Sequence, residues 1–354
     1  MDSAILKVFI PLTISFLTGL ALTPTLTTFL YKHKLWKKKV RSVGLDGNAT
    51  PIFSALHKDK EVGTPRMGGI VVWASTGITT LLFFALAQIG QNPLLERFSF
   101  LSRSQTWLPF VSLIAGSLVG LIDDILHVAE DEGHKIGGGG LSLTKRLVAV
   151  CIIGLLGGGW FYLKLGTSSL WVPFLGSVYL GWLMVPLFVI VMLAMYSGTV
   201  IDGLDGLSGG IFAIMYASYA LIAFYQSQYD IAAFCAVIVG ATLAFLWFNI
   251  PPARFYLTET GSFGLTITLA VIAFLTDTVP LLLCIGFPLL AESASDIIQL
   301  SSKKLRGGKK VFLVAPIHHH FEALGWPSYK VVMRFWIIGI LSSVIGIVIA
   351  IAGK

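Results

Sequence analysis

Long apolar runs, interrupted by short polar stretches, dominate the chain. Runs long enough to cross about 30 Å of hydrocarbon as helices fall at 5–30, 67–89, 107–122, 146–163, 174–196, 208–226, 231–249, 263–277, 279–299 and 332–351. The pattern predicts an all-α polytopic membrane protein of about ten transmembrane helices, forming one integral-membrane domain over 1–354. The narrowest breaks are Asp277 with Pro280 between the eighth and ninth runs, and the seam at 226–231 between the sixth and seventh. An even number of spans places both termini on the same side.

Composition agrees with that pattern. A chain of 354 residues that is 55% hydrophobic and 12% charged, with a mean hydropathy of +0.83, is not a soluble globular domain. Lys7 is the sole early positive charge and no small-residue cleavage site follows, so the first run is expected to be a span and not a removable leader. The charges then orient the bundle. The loops at about 31–66, 123–146, 197–207, 250–262 and 300–331, with their flanks, carry 20 of the 25 Lys and Arg residues. The positive-inside rule makes these loops cytoplasmic and both termini external. The net charge of +7 therefore reflects topology and an affinity for anionic lipid or phosphate, not nucleic-acid binding. Lys37-Lys38-Lys39 is most simply a stop signal beside the first span. Cys151, Cys235 and Cys284 all lie in apolar runs and read as small hydrophobes, not as redox groups.

On this map the chemistry-bearing side chains fall at one membrane face. Asp123-Asp124 closes the third span, and adjacent carboxylates need a cation or a shared proton between them. Asp202 and Asp205, spaced i, i+3 among Gly203, Gly206, Gly209 and Gly210, are expected on one side of a helical turn open to a phosphate or metal. Glu259 stands alone in the short loop 250–262. Asn249 offers both a donor and an acceptor suited to a base edge, and Phe255 and Tyr256 offer faces for stacking, although core packing is the commoner fate of such aromatics. His318-His319-His320 beside Glu322 suggests zinc, but consecutive helical residues point about 100° apart and no cysteine is near. Histidine donors to phosphate, next to the basic stretch Lys303–Lys310, fit better. Glu292 and Asp296 lie one turn apart in the ninth run. A transporter would scatter its acids through the bilayer midplane. Acids and imidazoles gathered at one interface suggest chemistry between a water-soluble compound and a lipid headgroup.

These motifs carry a resemblance. Thr64-Pro65-Arg66-Met67-Gly68-Gly69, Asp123-Asp124, Asp202-Gly203-Leu204-Asp205, Leu246-Trp247-Phe248-Asn249 and Ala315-Pro316-Ile317-His318-His319-His320-Phe321-Glu322 are similar to those of the phospho-N-acetylmuramoyl-pentapeptide transferases. That family is a branch of the polyprenyl-phosphate N-acetylhexosamine-1-phosphate transferases. The histidine motif, continuing through Gly325-Trp326-Pro327 to Arg334-Phe335-Trp336, separates this branch from relatives that transfer N-acetylglucosamine-1-phosphate. The resemblance implies a bacterial cytoplasmic-membrane enzyme that uses Mg²⁺. It implies transfer of phospho-N-acetylmuramoyl-pentapeptide from its UDP carrier to undecaprenyl phosphate, giving lipid I and UMP for peptidoglycan synthesis, in a chain that often pairs as a homodimer.

Carried over by position, Asp123 corresponds to the acid proposed to deprotonate the lipid phosphate, with Asp124 beside it, and His318, His319 and His320 match the histidine motif. Asp202 and Glu259 correspond to the metal region. Lys60, Thr64, Arg146, Thr199, Asp205, Asn249, Tyr256 and Glu292 correspond to substrate-binding positions. The chain departs from the pattern with Thr199 for Asn, Glu259 for Asp, Arg66 for Thr, His127 and Arg146 for Lys, and Lys60 one place from the expected lysine, where Glu61 aligns. Acids remain acids and most basic positions stay basic, which reads as a divergent active enzyme and not an inactive copy.

Overall fold

The computed structural model describes residues 2–37, 62–89, 93–102, 105–131 and 140–353. Its helices are α1 (Asp2–Lys32), α2 (Gly69–Ile89), the short α3 (Pro93–Phe98), α4 (Trp107–Asp131), α5 (Leu143–Leu163), α6 (Met184–Ser197), α7 (Leu207–Tyr225), α8 (Tyr229–Asn249), α9 (Thr258–Leu275), α10 (Leu282–Ile285), α11 (Phe287–Leu305), α12 (Ile317–Ala323) and α13 (Ser328–Ala352). Among the described residues, nine helices are long and apolar enough to cross a membrane, and a bent pair supplies a tenth. The multi-pass helical expectation is met.

Two features correct it. The chain is not purely α. Part of the expected span 174–196 instead forms a hairpin of β1 (Ser169–Val172) and β2 (Gly176–Tyr179), antiparallel with Ser169 opposite Tyr179. Phe174 and Gly176 turn it with φ of 64° and 81°, and Asp277 Oδ1 accepts the Trp171 N–H at 3.0 Å to fasten it to the bundle. Second, the run 279–299 is not one rod: Val279–Ile285 and Phe287–Leu305 meet at an 80° bend. Gly286 stands at the break and Pro288 lies in the first turn of α11. Proline has no N–H to continue the preceding helix, and its ring crowds the carbonyl four residues earlier.

The hub is α8 with α9, whose side chains are buried nearly all round. Around it α4 packs on α9, α1 on α8, and α7 on α8. Between helices in lipid, association rests on close van der Waals packing, which small residues permit. A Cβ at Gly120 of α4 would lie 1.9 Å from the Glu259 carbonyl oxygen, and one at Gly69 of α2 would lie 2.2 Å from the Gly261 nitrogen. Only glycine allows these backbones to touch. The contact brings the ends of α2 and α4 against the first turn of α9. Cys235 is buried, while Cys151 and Cys284 are half-buried, and all three are free thiols.

Candidate functional site

Asp124 follows Gly120 by one helical turn and is fully buried. Its Oδ1 accepts from Arg66 Nε at 3.0 Å and Nη2 at 2.7 Å. Its Oδ2 accepts from the Thr258 hydroxyl, from Thr260 N–H at 3.0 Å and from Thr260 Oγ1 at 2.5 Å. Thr258 is held from a second side, where its N–H donates to Asp202 Oδ2 at 2.6 Å. Its Oγ1 also accepts the Met67 N–H at 3.1 Å. Thr258 has φ of +53°, a conformation that disfavours a β-branched residue, so two aspartates from distant elements clamp a strained turn. That turn sets the direction of the next residue, Glu259.

Glu259 Oε1 accepts from Arg146 Nη1 of α5 at 2.9 Å. Its Oε2 is buried and has no hydrogen-bond partner. Asp123 is also fully buried; Oδ1 accepts the Leu141 N–H at 2.7 Å, and Oδ2 has no hydrogen-bond partner, with His127 Nε2 3.8 Å away. Carboxylate oxygens left unsatisfied in a buried place are costly unless something completes them.

The third part of the site comes from α11 and α12. His318 Nδ1 lies 2.8 Å from Glu292 Oε2, and His319 Nδ1 lies 2.8 Å from Glu322 Oε2. An ionised carboxylate can only accept, so with Glu292 and Glu322 ionised each Nδ1 carries a proton. The two rings stand 4.0 Å apart. A Cβ at Gly203 would lie 2.2 Å from His318 Nε2 and 3.1 Å from His319 Nε2, so both Nε2 atoms flank the 202–206 turn. Burial raises the Asp202 carboxyl above its ordinary range, opposed by hydrogen bonds from Ser208 and Thr258.

A continuous set of contacts thus runs from Leu141 and Asp123 through Asp124, Thr258 and Asp202 to Gly203, His318 and Glu292. Six segments far apart in sequence meet at one end of the bundle.

The comparisons with known proteins agree with this geometry. Residues 106–277 match the family described as Glycosyl transferase family 4. The phospho-N-acetylmuramoyl-pentapeptide-transferase of a Geobacillus species is 36% identical over 340 residues, covering 95% of each chain. That of Bacillus velezensis is 33% identical over 339 residues, 94% of this chain and 95% of its own. That of Listeria monocytogenes serotype 4b is 35% identical over 297 residues, 83% of this chain and 86% of its own. The chain belongs to the phospho-N-acetylmuramoyl-pentapeptide-transferase family.

Within that family's motif set, the structure brings together Asp123, Asp124, Asp202, Glu259, Arg146, His318, His319 and Glu292. It turns others to different work. His320 faces away, its Nδ1 accepting the Leu313 N–H at 3.2 Å. Asn249 is 2% exposed; its Oδ1 accepts the Gly206 N–H and its Nδ2 donates to the Phe255 carbonyl, both at 2.9 Å, so it ties two loops together instead of presenting a base edge. Phe255 is wholly buried against Phe245, which removes it as a stacking face, while Tyr256 is half-buried. Asp202 and Asp205 do not share a helical turn: Asp202 has ψ of 60° and α7 begins only at Leu207. Asp205 Oδ2 accepts the Ala253 N–H at 3.2 Å. Glu259 belongs to the first turn of α9 and not to a loop. Thr64 and Thr199 are half-buried. Lys60 and Glu61 lie outside the described residues.

Four of the chain's departures from the family pattern, Arg66, His127, Arg146 and Glu259, fall on this network. Arg66 pairs with Asp124, and Arg146 pairs with Glu259. Thr258 and Thr260, which carry much of the geometry, offered no signal in the sequence beyond flanking Glu259.

Proposed function

We propose that the protein transfers phospho-N-acetylmuramoyl-pentapeptide from its UDP-activated form to undecaprenyl phosphate, releasing UMP and forming lipid I at the cytoplasmic face of the membrane. The observation that carries this reading is the convergence of buried, unpartnered carboxylate oxygens on Asp123 and Glu259 with two oriented imidazoles, in a chain whose relatives bear that activity's name over most of their length.

Among the described residues, no three His, Cys, Asp or Glu side chains form a ready metal cage. Mg²⁺ does not require one, because it takes one or two carboxylates and completes its shell with phosphate oxygens and water. Glu259 fits, with a buried hard oxygen that nothing else in the chain occupies. Glu259 would hold a Mg²⁺ there, and the ion would supply neutralisation of charge on the diphosphate and on the departing UMP. Asp202 accepts at both oxygens, from Ser208 at 2.6 Å and from Thr258, and we assign it the bracing of the turn that aims Glu259.

Arg146 holds Glu259 by one oxygen, which leaves the buried Oε2 without a hydrogen-bond partner. The lipid phosphate is the nucleophile. With a second pKa near 6 it is largely ionised at neutral pH, so orientation matters as much as proton removal. Asp123, anchored by one oxygen on Leu141, keeps Oδ2 to take any residual proton from that phosphate. His318 and His319 present Nε2 beside the Gly203 turn; with Nδ1 already held by a carboxylate, the doubly protonated rings would donate Nε2–H to phosphate oxygens during transfer.

Incubating the purified chain with undecaprenyl phosphate, Mg²⁺ and a fluorescent UDP-muramoyl-pentapeptide tests the reading. The label is expected in the lipid-extractable fraction. Transfer from UDP-N-acetylglucosamine in its place would assign the chain to the sister branch.

A further inference from the structure

Each of the two site histidines has its own carboxylate, and the two carboxylates come from different elements. His318 takes Glu292 from α11, on the far side of the 80° bend. His319 takes Glu322 from one turn further along α12. The Glu322 carboxylate is itself fixed: Oε1 accepts from Ser328 Oγ at 2.6 Å, and Ser328 is the first residue of α13. Glu322 is buried, so this chain from Ser328 to Glu322 to His319 is sheltered from bulk water.

The geometry explains why such an anchor is needed. Two adjacent residues on a helix project about 100° apart, as the divergence of His320 from the site illustrates. For His318 and His319 both to bring Nε2 to Gly203, each ring must be held at a particular rotation. A carboxylate on Nδ1 provides that hold, and it fixes where the ring proton sits.

We infer that Glu322, seated by Ser328, is a positioning residue for the transfer reaction. It pins the His319 ring through its Nδ1–H and turns Nε2 toward the 202–206 turn, where Nε2 donates to a phosphate oxygen of a substrate when it also carries a proton. The inference rests on the reading of the site as a phosphoryl-transfer centre for its kinetic consequence, but not for its structural one.

The test uses the full chain in detergent with ¹⁵N-labelled histidine, comparing wild type with Glu322→Gln and Ser328→Ala. The His319 signals are assigned by their loss in His319→Asn. Wild type is expected to show His319 protonated at Nδ1 without any substrate present. Glu322→Gln should move the ring nitrogens toward a mixture of tautomers. It should also lower kcat/KM for undecaprenyl phosphate about 10- to 100-fold, the usual range for a lost carboxylate behind a ligating histidine, with KM for the UDP-sugar unchanged. Ser328→Ala, a smaller change that keeps the carboxylate, should shift both readouts in the same direction by a smaller factor, and it decides the matter if Glu322→Gln does not fold. Unaltered ring-nitrogen signals in the folded variants, or an equal loss for both substrates, would overturn the inference. Absence of any UMP from wild type would instead count against the proposed reaction and leave the spectroscopic result to judge Glu322.

Discussion

Asp123 and Asp124 are neighbours in sequence, yet the structure gives them opposite duties, and replacing each by asparagine should separate these. Asp124 accepts hydrogen bonds from Arg66, Thr258 and Thr260 at both oxygens. An asparagine must turn its NH₂ toward either the guanidinium or the threonine donors, leaving the part-buried Arg66 without its ion-pair partner. Breaking a buried pair by removing one partner costs about 3–5 kcal/mol. At roughly 2.1 cal/mol/K of unfolding entropy per residue, a chain of 354 residues converts that cost into a Tm lower by about 4–7 °C. Asp123 accepts the Leu141 N–H at one oxygen and has no hydrogen-bond partner at the other, and an asparagine keeps that bond while removing a charge that burial disfavours. Asp123→Asn should therefore leave Tm unchanged or slightly raised, with turnover reduced at least about a hundredfold, within the range of a lost general base. Tryptophan-fluorescence melting in detergent and UMP release measure the two quantities on the same preparations. Equal losses of Tm in both variants, or near-normal turnover in Asp123→Asn, would refute the division of labour.

Four other outcomes are expected. Gly203→Ala places a Cβ 2.2 Å from His318 Nε2, so it should cut turnover at least about tenfold (a barrier increase of about 1.4 kcal/mol); undiminished turnover would remove the imidazoles from the reaction. Glu259→Gln should lower turnover about a hundredfold or more in a folded protein, about 2.7 kcal/mol of barrier, and chelation of Mg²⁺ should silence wild type reversibly; full activity in EDTA contradicts the metal role. Fused at Lys354, alkaline phosphatase should be active and green fluorescent protein dark in cells, as the charge asymmetry predicts, and the opposite pattern would invert the topology.

Much of the architecture was written in hydropathy, because crossing a bilayer imposes a length of apolar chain that little else demands. The failures have physical causes. Residues 174–179 are apolar enough to read as the start of a span, but left-handed turns at Phe174 and Gly176 fold them back on 169–172. The break before α11 depends on Gly286 and Pro288, which hydropathy does not weigh. Helix α9 starts at Thr258, five residues before its apolar run, because Thr258, Thr260 and Ser262 are buried against protein and not lipid. The acids and imidazoles could be placed at one face from topology. Which oxygen of which acid is engaged could not, because Thr258 bridges Asp124 and Asp202 across the fold, with 134 and 56 residues between the partners. Spacing alone made Asp202 and Asp205 a helical pair, and the turn at Gly206, with φ of +81°, undid it.

The most direct measurement is UMP formation by the purified full-length chain. With UDP-muramoyl-pentapeptide and Mg²⁺ present, UMP should appear only when undecaprenyl phosphate is added, and in amounts matching the lipid consumed. No UMP with both substrates, or release that ignores the lipid, would contradict the account.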